Sequence, residues 1–332
     1  MPNATANSLG SPGGIDRLAE LSYARLDRFD RERAIVIFSV SPLEEHGTHL
    51  PVGTDLFEAE FFSEELARRI MEAKSGWSVL LGPALPVGAS AFDHVGTLLV
   101  RPRTVRNVVL DYGAALARHG FKYIVVMNAH AGPRHVVALE EAARVVSRRY
   151  RVRMLSLSGL VLWKFLRGKY AGRLEELLQR HITPDEQAAM RGDAHAGLWE
   201  TSLLLRIRPS LVGQDYQALP PQRYSFLQAL WKNYPLRLGN RQGYIGSPGS
   251  ASHAWGEIAR RLLLDEAWEF TAPMLDASNR DWQKSSVLSK IPVLHTDLPY
   301  LMGIGLLGIA AVGLGFLGAS ALLWNLVRRG AV

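Results

Sequence analysis

Apolar and polar positions along this chain follow two periods. Ala34-Ile35-Val36-Ile37-Phe38 is an unbroken apolar run rich in β-branched residues, the pattern of a strand buried on both faces. Val79-Leu80-Leu81 and Tyr123-Ile124-Val125-Val126-Met127 also read as strands, and Val152 to Leu157 is strand-like again. Between these runs the period lengthens. Phe57, Phe61, Leu66 and Ile70 fall near one face of a predicted helix over Phe57 to Met71, with charges between them. Thr104 to His119 predicts a second helix, with Thr104 as N-cap and Gly120 as stop. Val136 to Arg149 predicts a third, and Ser252 to Ala277 a closing helix. This β-α-β alternation predicts an α/β fold with a parallel sheet covered by helices on both faces.

Two stretches, Gly159 to Gln187 and Gln214 to Gln242, carry no clear period. Both mix Trp, Tyr and basic residues, as in Trp163-Lys164-Phe165-Leu166-Arg167. That composition suits caps or subunit contacts more than membrane-facing amphipathic segments. Leu298 to Val327 is different: it holds no charge and is dense in Leu, Gly, Ile and Ala. About 20 apolar residues span a bilayer, so this run predicts a single transmembrane helix. Tyr300 and Trp324 lie near its ends, where interfacial aromatics belong. Ala311, Gly315 and Ala319 form a small-residue seam that could pack helices together. The expected division is a flexible leader over 1–14, a folded body over 15–285, a linker over 286–297, the span over 298–327 and a basic tail over 328–332. The leader has neither a basic nor an apolar signal-peptide region, so a C-terminal anchor with a cytoplasmic body is expected. Arg328 and Arg329 oppose that orientation, and Arg280, Lys284 and Lys290 favour it.

The chain has no cysteine, which excludes disulfides and thiolate metal sites and leaves His, Asp and Glu as ligands. The net charge of +7 admits nucleic acid, anionic lipid or an acidic substrate as partners. The densest basic patch, Arg148-Arg149-Tyr150-Arg151-Val152-Arg153, reads as a solvated helix end entering a strand, and no nucleic-acid motif surrounds it.

Four groups of His and acid follow strands or open helices. The first is Glu44-Glu45-His46-Gly47-Thr48-His49-Leu50-Pro51-Val52-Gly53-Thr54-Asp55. In an extended segment Glu44 and His46 face the same way, and the turn at Pro51 and Gly53 brings Asp55 back toward them. A bridging carboxylate such as Asp55 could hold two divalent ions roughly 3.5–4 Å apart. The second group is Asn128-Ala129-His130-Ala131-Gly132, and the third runs from Asp193 through His195 to Glu200 and Ser202. Asp93 and His94 form a fourth, after Gly88 and Ser90. A lone His is more often structural than a ligand; the repetition at strand ends is what predicts a mixed N/O metal site suited to Zn, Mn or Fe(II).

These segments resemble the creatininase family. Glu44 to Asp55 is similar to its Glu-x-His-Gly-x-His-Leu-Pro signature and following Asp. Asn128 to Gly132 resembles its Asn-Gly-His-Gly-Gly element, His195 to Ser202 its His-Ala-Gly-x-x-Glu-Thr-Ser element, and Gly243 to Pro248 its late Gly-x-x-Gly-x-Pro turn. The resemblance covers about residues 30 to 280 and leaves out the apolar tail. It implies a three-layer α/β/α fold, a homo-oligomer such as a trimer of dimers, and a dinuclear centre that hydrolyses C–N bonds of amides. It implies Glu44, His46, Asp55 and His130 as metal ligands, with Asp55 bridging. His195 and Glu200 become the catalytic candidates, with His195 carrying a proton to the leaving nitrogen. His49, Ser90, His94 and Asn128 become substrate-side or supporting groups. Creatinine-hydrolysing members carry Glu at the position of Gly132, which argues against creatinine as substrate and makes Glu200 the candidate replacement ligand. Pro133, where many members have Asn, is a second departure. The expected function is a membrane-anchored amidohydrolase acting on a small amide or peptide-like substrate through a metal-activated water. A metallopeptidase trimming a short peptide, or a non-catalytic membrane scaffold, are the alternatives.

Overall fold

The structure is a computed structural model that describes residues 13–161, 170–223 and 242–298. Its centre is a five-stranded sheet: β1 (Ile15–Arg17), β2 (Ala34–Val40), β3 (Ser78–Leu85), β4 (Tyr123–Met127) and β5 (Arg153–Ser156). The spatial order is β1-β3-β2-β4-β5, and every pairing is parallel. Each crossover therefore carries a helix: α2 (Thr54–Ala73), α3 (Pro102–Arg118) and α4 (Pro133–Tyr150). A short α1 (Tyr23–Leu26) precedes β2. Downstream come α5 (Ala171–Leu178), α6 (Pro184–Met190), α7 (Leu198–Ile207) and α8 (His253–Met274).

Strand residues alternate between the two faces of the sheet, and Ala34, Val36 and Leu80 form a smaller cluster with Phe121. Ile35, Ile37, Val79, Leu81, Val125 and Met127 pack with Ala59, Phe62 and Leu66 of α2 and with α7 and α8. Phe38, Val40, Ile124 and Val126 pack with Val105 and Val109 of α3 and Ala138, Leu139 and Ala142 of α4. Both faces of the sheet are covered, which explains why β4 and most of β2 read as unbroken apolar runs. The chain passes from β3 to β4 across β2, so the strand order reverses there. The C-terminal ends of β2 and β4 flank the crevice in which open α/β sheets place ligands.

Several expectations need adjustment. The helix expected from Phe57 begins at Thr54, which puts Asp55 in its first turn rather than in a loop. Thr104 is not an N-cap: α3 starts at Pro102, whose fixed φ suits the first helical position, with Arg101 before it. Gly120 does end that region, at φ +89°. The stretch 286–297 is no free linker. Ser286 N donates to the buried Glu140 carboxylate, and Thr296 and His295 contact Glu141. Of the expected leader, Gly13 and Gly14 already hydrogen-bond Ser78 and Val79, and 1–12 lie outside the described residues. So do Trp163 to Arg167 and all but the first residue of the expected transmembrane helix. Among the described residues no helix is long and apolar enough to cross a membrane.

Candidate metal centre

Each candidate ligand leaves the C-terminal edge of the sheet or opens a helix beside it. After β2 the chain runs on through Ser41 to Glu44, whose N–H donates to Val52 O at 2.9 Å. A tight turn at Gly47, φ +69°, follows His46, and His46 pairs back with Leu50. A side chain at Gly47 would press within 3.1 Å of Gln242 O and the His49 ring. The loop ends in α2, and Asp55 sits at its N-terminus, where the helix dipole favours a carboxylate. After β4, Asn128 staples its own loop. Its Oδ1 accepts from Ser41 Oγ and His130 N, both at 3.0 Å, and its Nδ2 donates to His130 O at 2.7 Å and Ser158 Oγ at 3.0 Å. His195 bridges to Ile245 just before α7, and Glu200 lies in the first turn of α7, accepting from Ala196 N.

These side chains form three groups, each with ligand atoms within 4.8 Å of one another: Glu44, His46 and His195; Glu44, Asp55 and His130; His46, Asp55 and Glu200. Asp55 joins two of them through different oxygens. Its Oδ1 is 3.2 Å from His46 Nε2, and its Oδ2 is 3.2 Å from His130 Nδ1. Glu44 Oε2 lies 3.0 Å from His130 Nδ1, and Glu200 Oε2 lies 3.6 Å from His46 Nε2. Atoms bound tetrahedrally at about 2.0–2.2 Å from one ion stand about 3.3–3.6 Å from each other, so these spacings suit shared cations.

Hydrogen bonding fixes which ring nitrogen faces inward. A carbonyl only accepts, so His46 Nδ1 donates to Glu44 O at 2.9 Å, His130 Nε2 to Ala89 O at 3.2 Å and His195 Nε2 to Glu45 O at 2.7 Å. That turns His46 Nε2, His130 Nδ1 and His195 Nδ1 away from the carbonyls, the nitrogens such histidines would offer to a metal once deprotonated. His46 Nε2, Glu44 Oε2 and Asp55 Oδ2 are buried and make no hydrogen bond. Buried polar atoms without partners are costly, and a divalent cation satisfies all three, so the residues present fit a metal.

The electrostatics agree. Burial opposes charge on His130, yet the Glu44 and Asp55 carboxylates outweigh it and lift His130 to about 10. His46 is raised well above its usual value against burial by Asp55, Glu200 and Glu44. Burial resists ionisation of Asp55, but His46 and His130 hold it well below the usual carboxylate range. The acids of the cluster thus favour positive charge at both histidines, where a bound cation would take the place of a proton.

Other candidates fall around this core. His49 is buried with its Nε2 2.9 Å from Thr201 Oγ1, and burial pushes it down to about 4, so it braces α7 rather than joining a group. Ser90 is exposed and left-handed at φ +66°. His94 is exposed on the following loop and joins none of the groups. That loop still touches the centre: Phe92 N donates to Glu44 Oε1 at 2.6 Å, and its ring lies 4.9 Å from that of His195. Asp193 is structural. Its buried carboxylate accepts from Leu198, Trp199 and Ser247 N–H groups, and side chains at Gly197 or Gly246 would collide with it. The late glycine turn is thus half of a cup around Asp193.

Three residues were not legible as site candidates. His135 lies 5.3 Å ring to ring from His130, its Nδ1 accepting from Ala89 N. Glu45 places Oε1 3.6 Å from His195 Nε2. Glu58 is buried on α2, and burial with the Glu200 and Asp55 charges raises it well above the carboxylate range. The available signal was an acid on an apolar stripe, since Glu58 shares its helix face with Ala59, Phe62 and Leu66.

Known proteins resemble this chain in sequence and in fold. The chain is 28% identical over 205 residues to a mycofactocin precursor peptide peptidase of Mycobacterium ulcerans (strain Agy99), covering 60% of this chain and 68% of that protein. It is 25% identical over 194 residues to the creatinine amidohydrolase of Pseudomonas putida, covering 54% and 67%. A structure described as creatininase Mn superposes with a TM-score of 0.60 at 21% identity, covering 78% of this chain and 98% of that one. Its fold is therefore shared. A mutant creatininase described as a Zn-Zn type superposes at 0.59 with 21% identity, over 78% of this chain and 98% of that one. The family profile for creatininase, creatinine amidohydrolase, matches residues 19–271, and the chain therefore belongs to the creatininase family, a hydrolase acting on C–N bonds.

Proposed function

We propose that this chain hydrolyses an amide bond at a centre of two divalent ions, held by Glu44, Asp55 and His130 on one side and by His46, Asp55 and Glu200 on the other. The observation that carries this reading is Asp55, whose two oxygens face two different histidines at equal distance. Zn, Mn or Fe(II) would suit these N and O donors. When bound, such ions lower the pKa of water toward neutrality and polarise an amide carbonyl. The protein's own residues do the rest. Ala89, Glu44 and Glu45 carbonyls hold the three imidazoles in fixed tautomers. Asn128 fixes the His130 loop against Ser41 and Ser158. His195, with Nδ1 free and its ring against Phe92, carries the proton to the leaving nitrogen.

A peptide-like amide is favoured over creatinine. The resemblance places a Glu of creatinine-hydrolysing members at Gly132, and here even a Cβ at Gly132 would lie 2.3 Å from His130 Nε2 and 2.5 Å from Ser90 O. A mycobacterial relative is named a peptide peptidase. The uncharged run 298–327 supports a membrane anchor for the body, which carbonate extraction of membranes with and without residues 298–332 tests.

The test of the activity is metal content by mass spectrometry beside His46→Ala and His130→Ala, followed by a panel of lactams, linear amides and short peptides. One or two ions in the wild type, lost in the variants, with turnover on linear amides, supports the reading. A wild type that stays metal-free after exposure to Zn, Mn and Fe(II) sinks it and returns the chain to the scaffold alternative.

A further inference from the structure

We infer that Glu58 is a positioning residue for the His46, Asp55 and Glu200 half of the centre, and that its carboxylate sets how tightly that half holds its cation. The inference rests on the metal reading above and adds to it a residue outside the three ligand groups.

Glu58 follows Asp55 by three positions on α2, so both project from the same helical face. That face is buried, and α2 packs there on α7, the helix that carries Glu200. Glu58 is 3% exposed, and its Oε1 is shielded from solvent without a hydrogen-bond partner. The charges acting on it belong to Glu200, Asp55 and His46. In the empty protein a carboxyl at this helix–helix contact, beside Glu200 and Asp55, is disfavoured as an anion by lost hydration and by repulsion. A buried apolar residue such as Leu would serve the packing of α2 on α7 better.

A cation held by His46, Asp55 and Glu200 would turn that repulsion into attraction, and the Glu58 charge would then add to the hold of Glu200 and Asp55 on it. On the Glu44 and His130 side the ring next to His130 is that of His135, 5.3 Å away.

The experiment compares wild type, Glu58→Gln and Glu58→Asp as full chains, titrated with Zn²⁺ alone after chelation. Two readouts are taken: the affinity and number of Zn²⁺ ions bound, and the melting temperature of the metal-free protein. For Glu58→Gln the expected result is one of the two ions weakened about 10- to 100-fold, with the metal-free protein melting higher than metal-free wild type. Glu58→Asp keeps the charge but withdraws it by one methylene, so it too weakens that ion and keeps the inference testable if Glu58→Gln misfolds. Wild-type affinity for both ions in either variant overturns the inference. So does a metal-free Glu58→Gln protein that melts lower with unchanged affinity, since that marks a packing role. If wild type itself takes up no Zn²⁺, the metal reading fails with it; if wild type binds and the variants match it, the reading stands and the role of Glu58 falls.

Discussion

At the scale of single residues, the site is governed by which atoms have no partner within the protein. Asp55 is the sharpest case, because one side chain serves two histidines. Asp55→Asn replaces a two-sided acceptor by one that must turn an NH₂ toward a histidine nitrogen. Loss of at least one ion and a fall in turnover of at least about 100-fold are expected, read by metal analysis and kcat on the best amide substrate. Gly132→Glu is the converse case, an attempt to install the acid of creatinine-hydrolysing members. The new Cβ would overlap His130 Nε2 and Ser90 O, so His130 must leave the Ala89 carbonyl. The variant is expected to lose metal and about 1–3 kcal/mol of stability, and to gain no creatininase activity. Calorimetry and metal analysis check both. Much of this site was legible in the sequence, since Glu44, His46, Asp55, His130, His195 and Glu200 all fall in short motifs at element ends, and the fold brings them together. His94 was legible only as a residue type, and its exposure depends on a loop path that no local pattern encodes. Glu58 and His135 were hidden for the opposite reason: they sit inside regular helices, where a polar residue reads as surface unless the packed face is known.

At the scale of elements, the strands were legible because full burial on two faces writes a continuous apolar run, as in β2 and β4. β1 was not, because Ile15-Asp16-Arg17 is a short edge strand with no buried residue. The contacts that close the domain were equally silent, since they use side chains against distant carbonyls. Arg153 at the start of β5 donates to the carbonyls of Met274, Asp276, Ala277 and Asn279, and its guanidinium stacks over Trp282. Arg153→Ala should free the C-terminal end of α8 and cost about 1.5–3 kcal/mol, seen as a lower urea midpoint. The basic patch therefore contributes to closure of the fold rather than only to surface charge. A second tie joins α8 to α2. Arg260 pairs with Glu257 at 2.7 Å and with Glu65 at 2.6 Å. Hydrogen bonds from Arg260 first of all, reinforced by Arg261, hold Glu257 down at about 2. A depressed carboxylate adds stability that is present above its unfolded value, near 4.5, and is lost as pH falls through about 2. Glu257→Gln should therefore flatten the acid decline of the unfolding midpoint between about pH 4.5 and 2 and leave its shape above pH 5 unchanged.

At the scale of the whole molecule, the charge distribution sets one further consequence. Glu44, Asp55 and Glu58 are almost fully buried in one region where two elements of the sheet edge meet α2 and α7. Folding the empty chain must bring these acids together out of water, with His46, His130 and His195 beside them to offset the charge. Bound cations relieve that cost, and because they bind the folded form they add stability by mass action, about 2.7 kcal/mol for each ion present at 100 times its Kd. Chelation should therefore lower the melting temperature of the wild type by several degrees, and readdition of Zn²⁺ or Mn²⁺ should restore it in a concentration-dependent way. The control separates this from a general effect of the chelator. Asp55→Asn, with its bridge gone, should show a much smaller drop, because it has fewer ions to lose and one less buried charge to expose. Equal drops in the two proteins would mean that the stabilising cation sits elsewhere and that Asp55 is not the link between the two halves of the centre.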